Sequence, residues 1–98
     1  MFAALSGGQG VPWLIEFHPD AARELRKLDR AVAARIVRTL ETRIAPLDDP
    51  RSLGAPLKGE HEGYWRWRIG DYLVVARIED ARIVILIVRV AHRRDVYR

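Results

Sequence analysis

The chain has 98 residues, 49% hydrophobic and 31% charged, with no cysteine. That length suits one domain with a single core, and the absence of cysteine excludes disulfide scaffolds and thiolate chemistry and fits a reducing cytoplasm. The net charge of +4, from 17 basic residues against 13 acidic ones, favours a polyanion or an acidic protein as partner.

Met1 to Gly10 hold a short apolar patch followed by Ser6-Gly7-Gly8-Gln9-Gly10. There is no basic segment ahead of the patch, which argues against a signal peptide. Residues 1–11 are therefore expected to be a disordered or appended leader, and residues 12–98 a single domain. Trp13-Leu14-Ile15-Glu16-Phe17 suits a first strand. His18-Pro19-Asp20 then reads as a helix start, with Pro at the first helical position and Asp in the first turn. Ala21, Leu25 and Leu28 recur at helical spacing. Asp29 is placed to cap a second helix whose apolar face is Val32, Ala33, Ile36, Val37, Leu40 and Ile44. The two helices are nearly contiguous, so an antiparallel helical hairpin is predicted.

Pro46 and Pro50 end the second helix, and Leu47 to Gly63 is expected to be a loop. Three strands follow, at Tyr64–Ile69, Tyr72–Glu79 and Arg82–Ala91, with turns at Gly70-Asp71 and Asp80-Ala81. A two-residue turn at Gly70-Asp71 pairs Ile69 with Tyr72, Arg68 with Leu73 and Arg66 with Val75. The run Ile83 to Val88 is apolar throughout, as expected of a central strand, and with Arg82 and Arg89 on its flanks it is too short to cross a bilayer. The order predicts an α+β fold: an N-terminal strand, the helical hairpin on one face, then a three-stranded antiparallel meander forming one sheet.

Strand alternation sends Trp65, Trp67 and Ile69 to one face and Tyr64, Arg66 and Arg68 to the other, with Arg77 joining the latter. Guanidinium groups stay charged and grip phosphate oxygens bidentately, and Tyr64 could stack on a base. The plainer reading is that a solvated sheet face carries arginine for solubility, and the pattern alone does not choose between the two. A second basic cluster, His92, Arg93, Arg94, Tyr97 and Arg98, follows the last strand directly and is expected beside that face. Cutting RNA through its own 2′-OH needs a base, an acid and positive charge at the phosphate. Arginine suits the last role, and Tyr97 and His92 are the candidates for proton transfer, although a lone His92 more often has a structural role. His18, His61 and His92 lack metal-ligand spacing, so neither metal nor cofactor is expected. The tryptophans are expected in the core.

Four stretches in this order, over about Trp13 to Tyr97, resemble the RelE family within the RelE/ParE superfamily of bacterial toxins. They are Glu16-Phe17-His18-Pro19-Asp20-Ala21, Leu57-Lys58-Gly59, Tyr64 through Tyr72, and His92-Arg93-Arg94-Asp95-Val96-Tyr97. The resemblance implies a cytoplasmic, metal-independent mRNA interferase of a toxin–antitoxin system. Such an endoribonuclease cuts message on the ribosome by 2′-OH attack, inhibits translation, and is blocked by a cognate antitoxin in a hetero-oligomer that binds operator DNA. By position it implies Arg66, Arg68, Arg93 and Tyr97 as catalytic residues and Lys58 as a ribosome contact. Tyr64, Arg77 and Arg94 are the further RNA-binding candidates. The family usually has arginine directly after the hairpin tyrosine. Leu73 departs from that pattern opposite Arg68, which implies a weakened activity. Two other readings stay open: a ParE-like inhibitor of DNA gyrase acting by protein contact, and a non-catalytic module binding nucleic acid or antitoxin.

Overall fold

The computed structural model describes residues 12–96. The leader expected over residues 1–11, together with Tyr97 and Arg98, lies outside the described residues. The first strand, β1 (Leu14–Phe17), leads directly into α1 (Pro19–Arg26). Its start is set locally: Pro19 needs no N–H partner, and His18 Nδ1 accepts the Asp20 N–H at 3.1 Å. Asp29 caps α2 (Arg30–Thr39) by accepting the Ala31 N–H at 3.1 Å. The helix then widens into one π-helical turn, Leu40–Ile44, closed by a 2.8 Å bond from Ala45 N–H to Leu40 O. The apolar stripe continues through that turn, so Ile36, Leu40 and Ile44 are all buried.

The segment expected to be a plain loop is more ordered than that. It contains 3₁₀ turns at Pro50–Leu53 and Gly59–His61 and a two-residue strand, β2 (Ala55–Pro56). Two features organise it. Asp49 accepts the Arg51 N–H, and the buried indole Nε1 of Trp67 donates to Pro50 O at 3.0 Å. Gly54 lies flat on that indole, where an added Cβ would come within 3.0 Å of Trp67 Nε1. A tryptophan that needs a partner for its buried N–H thus anchors the chain beside it.

The meander consists of β3 (Tyr64–Ile69), β4 (Tyr72–Glu79) and β5 (Val84–His92). Its first hairpin has the expected register, Ile69 with Tyr72, Arg68 with Leu73 and Arg66 with Val75. Gly70 supplies the positive φ (61°) at the first loop position. The second turn is longer than expected. It runs through Ile83, which sits at φ 55°, so the last strand begins at Val84 rather than Arg82 and ends at His92 rather than Ala91. The sheet order is β1-β5-β4-β3-β2, with β1 parallel to β5 and the other pairs antiparallel. The strand with the unbroken apolar run is an interior one, second from the β1 edge with β4 in the middle, and the helices cover only one of its faces.

Both helices cover the face of Trp67, Ile69, Val74, Ile85 and Ile87, and Ala21, Ile36, Leu40 and Ile44 complete the core. β1 pairs only with Val84–Ile87, so the second half of β5 lacks a strand on that side. There α1 takes over, and Glu24 Oε1 accepts the Val90 N–H at 2.7 Å. No helix among the described residues is long and apolar enough to cross a membrane.

Candidate nucleic-acid interface

The face turned away from the helices is laid out by pairing register. Arg68, Leu73 and Ala91 form one row across β3, β4 and β5. Arg66, Val75 and Arg89 form the next, and Tyr64, Arg77 and Leu86 the third. Directly paired residues share a face, so Arg66, Arg68, Arg77 and Tyr64 lie on one surface. Alternate residues of a strand are about 6.7 Å apart, which sets the separation of Arg66 and Arg68 along β3. The Arg68 Nε donates to Gly70 O at 3.2 Å, holding that side chain toward the hairpin turn.

The chain end returns to the same turn. The Arg93 N–H donates to Asp71 O at 2.8 Å and opens a short helix, α3 (Arg93–Val96). Arg93 therefore begins where Arg68 points. Arg94 is exposed on α3, and Lys58 is exposed where the loop meets its second 3₁₀ turn. Lys58 lines a groove next to Tyr64 but away from Arg66. Tyr97 is outside the described residues.

His92 does not share this face. It pairs with Tyr72, which pairs with Ile69 on the helix side. Its ring meets Tyr72 edge-on, with centroids 5.2 Å apart, and its Nδ1 accepts the Arg94 N–H at 3.2 Å. The imidazole expected beside the arginines is instead a cap for α3 on the opposite side of the sheet.

Two groups absent from the expected set do reach the basic face. A groove of about 610 Å³ runs between the sheet and the Gly59–His61 turn, lined by Leu57, Glu60, His61, Tyr64, Arg66, Val75, Val88 and Arg89. Arg89 is there because of a β-bulge. Between Val75 and Ala76 the β4–β5 register slips, leaving Val88 as an extra residue. Simple alternation from Ile85 and Ile87 would turn Arg89 into the core. The bulge turns Val88 and Arg89 to the groove and sends Val90 inward, to 2% exposure. Glu24 Oε2 lies 3.6 Å from the Arg89 Nε, around the strand edge. A charged residue falling in the core phase of a strand was the available signal.

Leu73 sits opposite Arg68 as the register required, and it is buried (2% exposed). A methyl-bearing side chain therefore separates the Arg68 and Ala91 positions. The opposite end of the sheet uses its arginines differently. Arg51 bridges Asp80 (2.8 Å) and Asp49, and lies over the Trp65 ring. Arg82 bridges Glu79 (2.7 Å) and Glu16. Hydrogen bonding to Arg51 holds the Asp80 carboxyl below its ordinary value. Among the described residues Arg68 and Arg77 enter no ion pair.

This geometry can be set beside known proteins. The family model described as ParE toxin of type II toxin-antitoxin system, parDE, matches residues 15–97. The chain belongs to the RelE/ParE toxin family. It is 35% identical over 89 residues to the toxin RelG of Mycobacterium tuberculosis, covering 90% of this chain and 99% of that one. It is 36% identical over 88 residues to the toxin RelE of the same organism, covering 89% of this chain and 88% of that one. The toxin in the crystal structure of the RelBE2 toxin–antitoxin complex from M. tuberculosis superposes with a TM-score of 0.77 at 32% identity, over 84% of this chain and 92% of that one. As a RelE/ParE toxin, the protein has its basic rows on the face opposite the helices.

Proposed function

We propose that this toxin is an endoribonuclease that cuts message on the ribosome, with the scissile phosphate held at Arg66 and flanked by Arg68 and the start of α3. The observation carrying this reading is the convergence of Arg66 and Arg68 on one face with the backbone of Arg93 tied to Asp71 at the same turn. Guanidinium groups there would stabilise the charge that builds on a pentavalent phosphate, while Tyr64 stacks on a neighbouring base. Attack by the 2′-oxygen on phosphorus breaks the bond to the 5′-oxygen, giving a 2′,3′-cyclic phosphate and a 5′-hydroxyl with no metal needed. Arg77, Lys58 and Arg94 lie along the flanks, where they would bind RNA backbone. Tyr97 enters this reading as a further catalytic candidate from the family resemblance. Leu73 supplies no charge beside Arg68, so the activity is expected to be weak.

The partner that fits this toxin is a cognate antitoxin whose acidic segments cover the basic face in a cytoplasmic hetero-oligomer able to bind operator DNA. The relative solved as a RelBE2 complex supports that assembly. A second reading, gyrase inhibition by protein contact, is favoured by the description of the matching family model as a ParE toxin. Primer extension on message after induction tests the choice. Codon-phased cuts are expected. Loss of plasmid supercoiling without cuts would establish gyrase inhibition instead, and neither effect would leave a module that only binds antitoxin or nucleic acid.

A further inference from the structure

Among the described residues, the three arginine-bearing rows of the basic face carry charge but no imidazole or carboxylate to take a proton. Arginine does not lose one near neutrality, and His92 is turned to the other side of the sheet with Nδ1 bonded to the Arg94 N–H. The groove between the sheet and the Gly59–His61 turn does contain such a group. His61 is exposed and lines the same groove as Arg66 and Arg89.

We infer that His61 is the general base of the phosphoryl-transfer step, seated across the groove from the arginines that hold the phosphate. This rests on the endonuclease reading and names a residue for the part of it that the arginines cannot play. Arg66 comes from β3 and Arg89 from β5, in one row with Val75 as the floor between them. Two strand spacings put their backbones about 9–10 Å apart, a gap that a phosphodiester can enter from the solvent side. His61 and Glu60 close the groove from the 3₁₀ turn, and Tyr64 closes it at the lower end.

An imidazole is a stronger base than a carboxylate, which suits the role better than the adjoining Glu60. The charged and titratable groups facing it are Glu60 from its own turn, Tyr64 and Arg66 from β3, and Arg89 from β5. In the step, the imidazole takes the proton from the 2′-OH as the 2′-oxygen bonds to phosphorus. The bond from phosphorus to the 5′-oxygen breaks, that oxygen takes a proton from water, and the imidazolium returns its own to solvent.

The test is cleavage of ribosome-bound message by purified toxin between pH 5.5 and 9, for the wild type and for His61→Gln, His61→Ala and Arg66→Ala. His61→Gln should lose about 100-fold or more, the usual scale for a general base. It should also lose the acidic limb of the rate profile, and free imidazole should partly restore His61→Ala. His61 is exposed, so these variants should melt with the wild type. Wild-type rates in His61→Gln beside a dead Arg66→Ala would overturn the inference and leave the endonuclease reading intact. A uniform loss with an unchanged pH profile would also overturn it, since that describes positioning. No cleavage by the wild type at any pH would remove the endonuclease reading, and this inference with it.

Discussion

The two faces of the sheet share the same strands and carry opposite assignments. On the helix side, Trp67, Val74, Ile85 and Ile87 are nearly sealed from water, and the one polar atom of Trp67 finds Pro50 O. On the other side, charged arginines stand over a floor of Leu73 and Val75. One residue of phase separates the two environments. The lesson is a division of labour by alternation: even positions of β3 carry the arginines of the outer face and odd positions hold the fold. The arginines at the far end of the sheet, Arg51 and Arg82, are tied to carboxylates and belong with the fold despite their charge.

That division can be broken from either side. Trp67→Ala should have the largest effect, destabilising by about 3–5 kcal/mol through lost burial and a cavity, and should be read as a lower urea midpoint. Arg66→Ala should lower message cleavage by about 10²–10³-fold while the urea midpoint stays near that of the wild type. If it unfolds the protein instead, the two faces are not separable. Glu24→Ala leaves the Val90 N–H without its acceptor and should cost about 1–3 kcal/mol, whereas Glu24→Gln should recover most of it in the same denaturation series. Leu73→Arg should sharpen the comparison by adding charge to the outer face, giving several-fold stronger growth arrest on induction. Equal arrest in both forms would remove position 73 from the site. The smallest effect is at Asp80. Its folded carboxyl is held below the ordinary 3.8, so its contribution is complete above that pH and fades as pH falls through the lower folded value. Asp80→Asn should therefore melt slightly below the wild type at pH 7, and the gap should close in strong acid.

Local chemistry made much of this legible in the sequence. Gly70-Asp71 between alternating runs fixed the first hairpin, and with it the shared face of Arg66 and Arg68 and the place of Leu73. Asp29 and the Ile36-Leu40-Ile44 spacing located the second helix. The features that escaped are those set by distant partners. Nothing near Leu14 announces a parallel pairing with Val84. The two-residue strand at Ala55 exists because Trp67 and Gly54 bring that segment to β3. In β5 the apolar run Val84–Val88 concealed the phase, so the bulge at Val88 and the helix-side seat of His92 could not be read, and Arg89, a charge falling in the core phase, was the one sign of the slip. His61 was visible only as a histidine without metal-ligand spacing, and its groove is a product of tertiary structure.

The pairing of β1 with β5 also dictates when this molecule can come into being. The strand that both halves of the sheet lean on is made after the other strands of the sheet, and its parallel neighbour before them. Such long-range closure is slow compared with helix or hairpin formation. A nascent chain halted before Val84 leaves Leu14–Phe17 with no strand to join and Tyr72–Glu79 with only its β3 hairpin partner, so the arginine rows lack their third strand until β5 is made.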